Sequence, residues 1–258
     1  MKMNTKEPCV NSSPSKRRKS KNNKDVVLSK ALSWVLRHGA LKIGLTMSSD
    51  GYVPLQILLK SKVRNLNKYT MDDVMNVVES NDKQRFKLCR KIIVWKDAEK
   101  TRYIFGSSTS LKNADIESTS EEVLCIRANQ GHSIKGLNSE HLLNLIPPNE
   151  LAEMKLIIHG TNIEAWEKHI QHEGLSKMNR NHIHFAAGLP GEGGIISGMR
   201  QSSQVYIYIN GMICAKDGIK FYRSDNGVIL CPGFENGILP TKYFADVVDA
   251  KTKKSLLV

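Results

Sequence analysis

Apolar residues recur at helical spacing in three segments near the start of the chain. Residues 26–39 predict the longest helix, which ends in the glycine of the sequence LRHG. Residues 53–61 predict a shorter helix, and residues 70–80 predict a third, with Thr70 as the N-cap and Asp73 three positions later. The pattern therefore predicts a small helical region.

Two segments with the pattern of β-strands follow these helices. Residues 86–95 and 101–106 are rich in aromatic and β-branched residues and flank a polar turn at residues 96–100. Helices followed by a β-hairpin are the element order of a winged-helix module, a frequent nucleic-acid binder. We therefore expect residues 26–106 to form a winged-helix lobe.

The pattern changes again after residues 107–122, a polar and aperiodic stretch that predicts a linker. One further helix is expected at 163–174, with Asn162 as its N-cap. The remaining segments with the strand pattern are 123–128, 155–160, 182–187, 204–209, 218–223, 227–230 and 242–248. The sequence thus predicts an α+β fold of two lobes, in which the second lobe is mainly β and covers residues 123–258.

Positive charge is concentrated at the N-terminus. The chain has 38 Lys and Arg against 25 Asp and Glu, a formal net charge of +13, and residues 1–25 hold eight of the cations and two of the acids. Residues 1–25 contain almost no apolar side chains, so we expect a disordered basic tail. The run from Lys16 to Lys19 fits a nuclear-localisation signal or an RNA-contacting arm, and it equally fits a solvated leader. The rest of the chain is also basic, which favours a polyanionic partner.

The sequence argues against several classes of protein. No apolar run reaches the roughly 20 residues that span a bilayer, and the N-terminus lacks the apolar stretch of a secretory signal. The five cysteines form no CxxC pair and have no histidine at metal-ligand spacing. We expect a soluble intracellular monomer, nuclear or cytoplasmic, with free thiols and no metal.

Several charged residues, histidines and glycines stand at positions that a packed core does not need. Glycine lets a backbone approach a ligand, and Arg, Lys and His are the side chains that hold and transfer phosphate. The candidates are Arg37, His38, Lys83, Arg85, Gly131, His132, Ser133, His159, Gly160, Thr161, Arg180, His182, His184 and Arg200.

Each candidate segment also has a purely structural interpretation. Cations at a helix end stabilise its dipole, a charged strand start is often a solvated edge, and a strand-end histidine is often structural. The glycines at 188–194 match neither the P-loop nor the dinucleotide-binding fingerprint. The sequence also contains no HExxH motif and no GxSxG elbow, so the common hydrolase signatures are missing.

Seven segments, taken together and in this order, resemble the tRNA 2′-phosphotransferase family. They are LSKALSWVLRHGA, DGYVPLQILL, NDKQRF, QGHS, IIHGT, RNHIHFA and ISGMR. The resemblance runs over residues 26–248 and is weakest in the predicted linker. It implies an N-terminal winged-helix lobe and a C-terminal lobe of the ADP-ribosyltransferase kind.

The resemblance also implies a reaction in two steps, with NAD as co-substrate and 2′-phosphorylated tRNA as partner. The splice-junction 2′-phosphate attacks the nicotinamide ribose of NAD, which releases nicotinamide and leaves ADP-ribosylated 2′-phospho-RNA. The neighbouring ribose hydroxyl then attacks the phosphorus, giving 2′-hydroxyl RNA and ADP-ribose 1″,2″-cyclic phosphate.

Particular residues take roles by the same resemblance. Those implied to be catalytic are Arg37, His38, Arg85 and Arg200. Those implied to bind NAD are His159, Gly160, Thr161, Ser133, Asn181 and His184. Those implied to contact the RNA or its phosphate are Lys83, His132 and Arg180. The arginines are expected to hold the phosphate and its transition state, and His38 to transfer a proton or orient the phosphate.

Two other functions are compatible with the sequence. One is an ADP-ribosyltransferase that modifies phosphate ends of nucleic acid and stops after the first step. The other is a non-catalytic winged-helix RNA-binding protein, which would use the basic charge but has no need of the HGT or SGMR segments.

Overall fold

The structure is a computed structural model that describes residues 23–97, 99–100, 102–105, 120–189 and 199–257. Residues 1–22 and most of the predicted linker therefore lie outside the described residues. Helix α1 covers Asn23–Trp34, so it begins inside the segment predicted to be a disordered tail. The polar residues 23–25 form its first turn, where Asp25 favourably meets the positive end of the helix dipole.

Within the described residues, three α-helices precede the long strand β2 at Phe86–Trp95, as the sequence predicts. They are α1, α2 at Leu55–Lys60 and α3 at Met71–Glu79. Thr70 and Asp73 form the expected capping box, since the Thr70 side chain accepts from the Asp73 backbone and the Asp73 side chain accepts from the Thr70 backbone. Val74 and Val77 lie on the buried face of α3 and pack in one apolar cluster with residues of α1 and α2.

The first sheet is antiparallel and has the strand order β1-β4-β2-β3. The strands are β1 at Val53–Pro54, β2 at Phe86–Trp95, β3 at Tyr103–Phe105 and β4 at Ser120–Ala128. The pairing of β2 with β3 is the predicted hairpin.

Strand β4 corrects the predicted boundary between linker and second lobe. It pairs with β2 along its whole length, from Val94↔Ser120 to Phe86↔Ala128. Residues 120–122 are therefore strand rather than linker, and residues 123–128 belong to the first sheet rather than to the second lobe. The physical reason is tertiary: β4 buries Ile126 against the helices, and sequence alone does not show which sheet a strand joins.

In its described residues, the second half of the chain is mainly β and contains three sheets. Its strands are β5 at Asn144–Ile146, β6 at Ile158–Thr161, β7 at Leu175–Ser176, β8 at Ile183–Phe185, β9 at Val205–Ile209, β10 at Phe221–Arg223, β11 at Ile229–Cys231, β12 at Ile238–Leu239 and β13 at Phe244–Asp249. Two sheets have the orders β5-β10-β11-β8 and β13-β9-β6, and β12 pairs with β7.

Short helices join these strands. They are α4 at Ser139–Leu142, α5 at Pro148–Glu153, α6, which runs on through Ile163–Ala165, Trp166–Ile170 and Gln171–Glu173, and α7 at Gly211–Lys216. Asn162 caps α6 as predicted, because its side-chain oxygen accepts from the backbone N–H of Ala165 at 2.7 Å. Gly174 follows with φ of 95°, a conformation that glycine adopts without strain.

Two large apolar clusters lie in successive parts of the chain. The first gathers residues from Leu28 to Ile134 and the second gathers residues from Ile146 to Val247. The mixture of helices and sheets confirms the α+β class, while the winged-helix and ADP-ribosyltransferase assignments stay predictions. In the described part of the chain, no helix has both the length and the apolar character needed to cross a membrane.

Candidate functional site

Helix α1 continues into a widened turn, Val35–Gly39, that positions Arg37 and His38. The turn is π-helical, with a backbone hydrogen bond of 2.8 Å that spans five residues rather than four. A Cβ at Gly39 would overlap the ring of Trp34, so the turn requires glycine there. Such turns are frequent at functional sites because they shift side chains out of the regular helical repeat.

Arg37 is largely buried and lies beside other cations. Burial is the main cause that lowers its pKa to about 10, and Arg85 and Arg180 lower it further. Its Nε atom has no hydrogen-bond partner among the described residues. Gly131 faces it with φ of 87°, and a Cβ at this glycine would lie 3.4 Å from the guanidinium. Arg37 is thus a confined cation with unused hydrogen-bonding capacity.

His38 is held by Ser133, a residue predicted to bind NAD. The Nδ1 atom of His38 lies 2.8 Å from the Ser133 hydroxyl, and the Ser133 backbone N–H donates to the Arg37 carbonyl at 2.9 Å. Burial lowers the pKa of His38, and so do the charges of Arg37, Arg180 and Lys42. The imidazole is therefore mostly neutral near pH 7 while no anion is bound.

Arg85 is fixed by a tightly bonded loop. The buried Asn81 accepts at its side-chain oxygen from the Arg85 guanidinium and from the backbone N–H of Lys83, both at 3.1 Å. Gln84 has φ of 42°, and its carbonyl accepts from the Asn129 side chain at 2.7 Å. Lys83 itself is exposed. Its backbone N–H donates to Asn81, and its backbone carbonyl accepts from Asn226. The loop thus positions Arg85 and leaves Lys83 in solvent.

Arg180 interacts electrostatically with Arg37 and with Arg200. Its guanidinium lies 3.5 Å from Nδ1 of His184. Partial burial lowers its pKa first, and the charge of Arg200 lowers it further. Arg200 is exposed and is the second residue after residues 190–198, which lie outside the described ranges. Electrostatic interactions therefore connect the four arginines in a chain, through the pairs Arg85–Arg37, Arg37–Arg180 and Arg180–Arg200.

We call these four residues the arginine cluster. Across the described ranges, no carboxylate forms an ion pair with any member. Burial lowers the pKa of Arg85, and the negative charge of Asp82 opposes this lowering. Arg37, His38, Arg85 and Asn81 line a cavity of about 500 Å³, and Arg180 and Arg200 lie outside it. Close, unpaired guanidiniums beside a cavity form a site for a multiply charged anion.

The predicted NAD-binding histidines lie on strands β6 and β8, each of which is an edge strand of its sheet. Nδ1 of His159 lies 2.9 Å from the His184 carbonyl, and its ring packs edge-on against Phe185. Nε2 of His184 lies 2.8 Å from the Gln130 side-chain oxygen. Burial lowers the pKa of both histidines, that of His184 to about 3. Both are thus neutral hydrogen-bonding groups at neutral pH.

Gly160 makes a different contact from the one expected. The sequence suggests that its missing side chain lets a ligand approach, yet a Cβ here would overlap Met199 and Ser203. In this structure the glycine is therefore required by those two side chains. Its neighbour Thr161 continues strand β6, and its carbonyl accepts from the Gln204 backbone at 2.8 Å.

His132 lies beneath the arginine cluster. It is 3% exposed, its Nε2 atom has no partner among the described residues, and its pKa is lowered to about 3 by burial and then by Arg37. The backbone and side chain of Asn181 donate to the carbonyls of His132 and Ile134 at 2.8 and 2.9 Å. His182 bonds to Ser139 at 3.0 Å, away from the cluster. His132 and Asn181 thus support the site from within the fold.

Asn81, Asn129 and Gln130 belong to the site but were missed by sequence reasoning. Asn81 stands four residues before Arg85, and Gln130 opens the QGHS segment, so their proximity to candidate residues is the signal that was available. An amide side chain in a polar loop is too common to be singled out before its partner is known.

Comparison with known proteins identifies the family. A model of the "RNA 2′-phosphotransferase, Tpt1 / KptA family" matches residues 23–233. The chain is 42% identical over 227 residues to the tRNA 2′-phosphotransferase 1 of Danio rerio, covering 88% of this chain and 87% of that protein. The human tRNA 2′-phosphotransferase 1 is 42% identical over 91% of this chain and 80% of its own length.

A more distant relative gives the same result. The tRNA 2′-phosphotransferase of Saccharomyces cerevisiae is 38% identical over 215 residues, which cover 81% of this chain and 80% of the yeast protein. The matched region contains every member of the arginine cluster, His38 and the HGT strand. The chain belongs to the RNA 2′-phosphotransferase family.

Proposed function

We propose that this protein removes the 2′-phosphate from a tRNA splice junction by transferring it to NAD. The observation that carries the proposal is the arginine cluster, whose guanidiniums repel one another and have no carboxylate partner in the described ranges. A phosphate dianion relieves this repulsion and accepts the free hydrogen bonds. The names of the relatives, RNA and tRNA 2′-phosphotransferases, support phosphate on RNA as the ligand.

Arg37, Arg85 and Arg200 hold the phosphate in this proposal. A pKa of about 10 still leaves Arg37 protonated at pH 7, so all three present planar, charged donors to phosphoryl oxygens. Charge accumulates on those oxygens when phosphorus is attacked, and donors fixed in advance by Asn81 and the π-helical turn stabilise it without reorganisation.

His38 changes its protonation when the phosphate binds. Neighbouring cations lower its pKa in the free protein, and an adjacent dianion favours the charged imidazolium. His38 then donates a proton to the RNA oxygen that leaves phosphorus, while Ser133 keeps the ring in place through Nδ1. This order couples substrate binding to the supply of the catalytic proton.

The attack of the 2′-phosphate on NAD needs no strong base from the protein. A phosphate monoester is already anionic near neutral pH, so the protein has to orient it and exclude competing nucleophiles. The cluster contributes orientation, which agrees with the arrangement of cations and histidines found there.

The residues at the edge of strands β6 and β8 fit the binding of NAD. Arg180, which lies beside His184, is a cation suited to the pyrophosphate, and the neutral His159 supplies a hydrogen bond to a ribose or amide. Met199 covers Gly160, so contact between NAD and this glycine requires the Met199 side chain to move. When bound, NAD supplies the electrophilic ribose carbon.

The decisive experiment uses a short RNA with one labelled internal 2′-phosphate, incubated with the full-length protein with and without NAD. We expect NAD-dependent transfer of the label to a small ADP-ribose cyclic phosphate, together with release of nicotinamide. Label that stays on the RNA with ADP-ribose attached would instead identify a one-step ADP-ribosyltransferase. Salt-sensitive RNA binding without any NAD-dependent change would identify a binding protein.

The two steps can be separated by variants of the cluster. Arg85→Ala and Arg200→Ala weaken stabilisation of the phosphorus-centred second step more than they weaken the first. We expect ADP-ribosylated RNA to accumulate in a single-turnover time course of either variant. A fall in both steps by the same factor would show that these arginines act only in binding.

A further inference from the structure

One exposed arginine in the cavity of about 500 Å³ has no role in the chemistry proposed above. Arg64 lines the cavity together with Trp34, Arg37, His38 and Arg85. Its guanidinium carbon lies 4.4 Å from the centroid of the Trp34 ring, so the two planar groups form a cation–π contact. The cavity therefore has phosphate-binding arginines and a stacked arginine in one continuous space.

Two groups pack against the Trp34 ring. The turn at Gly39 lies so close that a Cβ there would overlap the ring, and the Arg64 guanidinium lies over the ring. Arg64 itself is exposed and forms no ion pair with a carboxylate in the described ranges. A guanidinium held on an aromatic ring, with its outer face in solvent, is one of the surfaces on which unstacked RNA bases stack.

The backbone around Arg64 is fixed in a conformation that L-residues rarely adopt. Arg64 has φ of 52° and Asn65 has φ of 58°, both in the left-handed region. The fully buried Leu66 anchors the segment in the first apolar cluster. Consecutive left-handed residues are unfavourable unless the surrounding fold holds them, and such strain is concentrated at binding sites. Arg64 lies over Trp34 from this left-handed segment.

The charge of the cavity also suits a nucleic acid. Of the described residues that line it, four are cationic, Lys30, Arg37, Arg64 and Arg85, and one, Asp25, carries a carboxylate. Its volume falls within the range of ligand pockets and leaves room beside the phosphate-binding arginines for a nucleoside.

We propose that Arg64, supported by Trp34, is a stacking platform for one base of the RNA close to the 2′-phosphate. Arg37, His38 and Arg85 bind the phosphate, and the base stacks on the outer face of the Arg64 guanidinium. Stacking does not depend on base identity, so the platform recognises an unpaired nucleotide rather than a sequence. This inference rests on the proposed function, because it takes 2′-phosphorylated RNA as the ligand.

The test couples protein variants to RNA variants. Four short RNAs carry one internal 2′-phosphate: an unmodified strand, and strands with an abasic ribose at the phosphorylated nucleotide, at its 5′ neighbour or at its 3′ neighbour. The dissociation constant of each is measured without NAD, and kcat/KM is measured with NAD. Binding without NAD keeps this test separate from the test of the reaction.

Two variants of Arg64 and one control variant separate the contribution of its planar group from that of its charge. Arg64→Lys keeps the charge and loses the plane, whereas Arg64→Asn loses both but tolerates the left-handed backbone. Lys62→Ala removes an exposed charge from the same segment and is the matched control. We expect Arg64→Lys and Arg64→Asn to weaken binding of the unmodified RNA about tenfold, and Lys62→Ala to have a much smaller effect.

The pattern across the RNAs decides the outcome. With one of the abasic RNAs, we expect wild-type binding to fall about tenfold and the Arg64→Lys variant to bind no worse than wild type. Equal losses for Arg64→Lys on all four RNAs, or no loss on any of them, would overturn the platform. Failure of the NAD reaction with this coupling intact would overturn the proposed function and leave the platform.

Discussion

Two groups of basic residues lie close together in this protein and have opposite surroundings. Around Asp225, the carboxylate accepts from Arg127 at 2.8 Å and from Lys87 at 2.7 Å, and these cations hold its pKa below the usual range. Arg127 also lies over the Tyr52 ring and donates to the Asp50 carbonyl. In the arginine cluster, by contrast, the charges that lower the pKa of Arg37 and Arg180 belong to other arginines.

The difference separates structural cations from binding cations. Asp225 joins Lys87 and Arg127 of the first sheet to the turn after β10, and Asn226 in that turn donates to the carbonyl of Lys83. The paired group therefore holds the two parts of the chain together and supports the loop that carries Arg85. The unpaired group keeps its hydrogen bonds for a ligand, and its mutual repulsion is unfavourable until that ligand arrives.

The largest effect is expected from Arg37→Gln. Loss of one fixed donor to the transition state should lower kcat by about 100- to 1000-fold. Because a buried, repelled cation is removed, the free energy of unfolding should stay constant or rise. Steady-state kinetics and chemical denaturation of the same preparation check both parts, and a large loss of stability would place Arg37 among the structural cations.

Arg127→Gln is the matched change in the paired group and should show the reverse. The Arg127 side chain is 7% exposed, and its loss leaves Asp225 with Lys87 alone. We expect the free energy of unfolding to fall by about 2 kcal/mol, with less than a tenfold change in kcat below the melting temperature. Urea denaturation measures the change in the free energy of unfolding. A variant that is fully stable but inactive would contradict the division into two groups.

Acid should destabilise the protein through the histidines beneath the cluster. The pKa of His132 is about 3 when folded and near 6.5 when unfolded, so the unfolded state binds more protons between these values. Stability should therefore fall as the pH drops below 6.5. Between pH 7.5 and pH 5.5, His132 alone should account for about 1 kcal/mol.

Denaturation curves at these two pH values test this expectation. His132→Asn should lose about 1 kcal/mol less than wild type over the same interval. Because the folded-state pKa of about 3 lies far below this interval, loss of the Arg37 charge should hardly change the pH dependence there. An unchanged pH dependence in His132→Asn would show that other groups govern acid sensitivity.

The smallest effect is expected at Ser133. Ser133→Ala removes the hydrogen bond to Nδ1 of His38, worth about 1 kcal/mol, and should lower kcat about fivefold. Ser133→Thr keeps the hydroxyl and should restore most of the rate. The pH profile of kcat distinguishes positioning from general damage, since only loss of the His38 contact should shift its acidic limb.

Much of the local structure could be read from the sequence. Thr70 and Asp73 have a capping-box spacing that acts within one helical turn, and Asn162 caps its helix by an equally local contact. The strand segments were recognised because their apolar and β-branched residues lie close together in the chain. The very short strands β7 and β12 were missed because two residues carry no recognisable period.

The site divides in the same way between local and distant information. Arg37, His38, Arg85 and Arg200 could be singled out by the ordered motifs in which they stand. Their approach to one another, the support of Arg85 by Asn81 and of His184 by Gln130, and the contact of Met199 with Gly160 depend on tertiary packing. No pattern in a single sequence specifies such pairs.

The sequence by itself determined the α+β class, the order of most elements, the family and the residue types of the candidate site. Only the tertiary structure decided that β4 joins the first sheet, that Lys87 and Arg127 are paired while the arginine cluster is not, and that Arg64 lies on Trp34. The physical reason is that helix caps and strand patterns arise from neighbours in the chain, whereas the pairing of charges depends on which distant segments the folded core brings together.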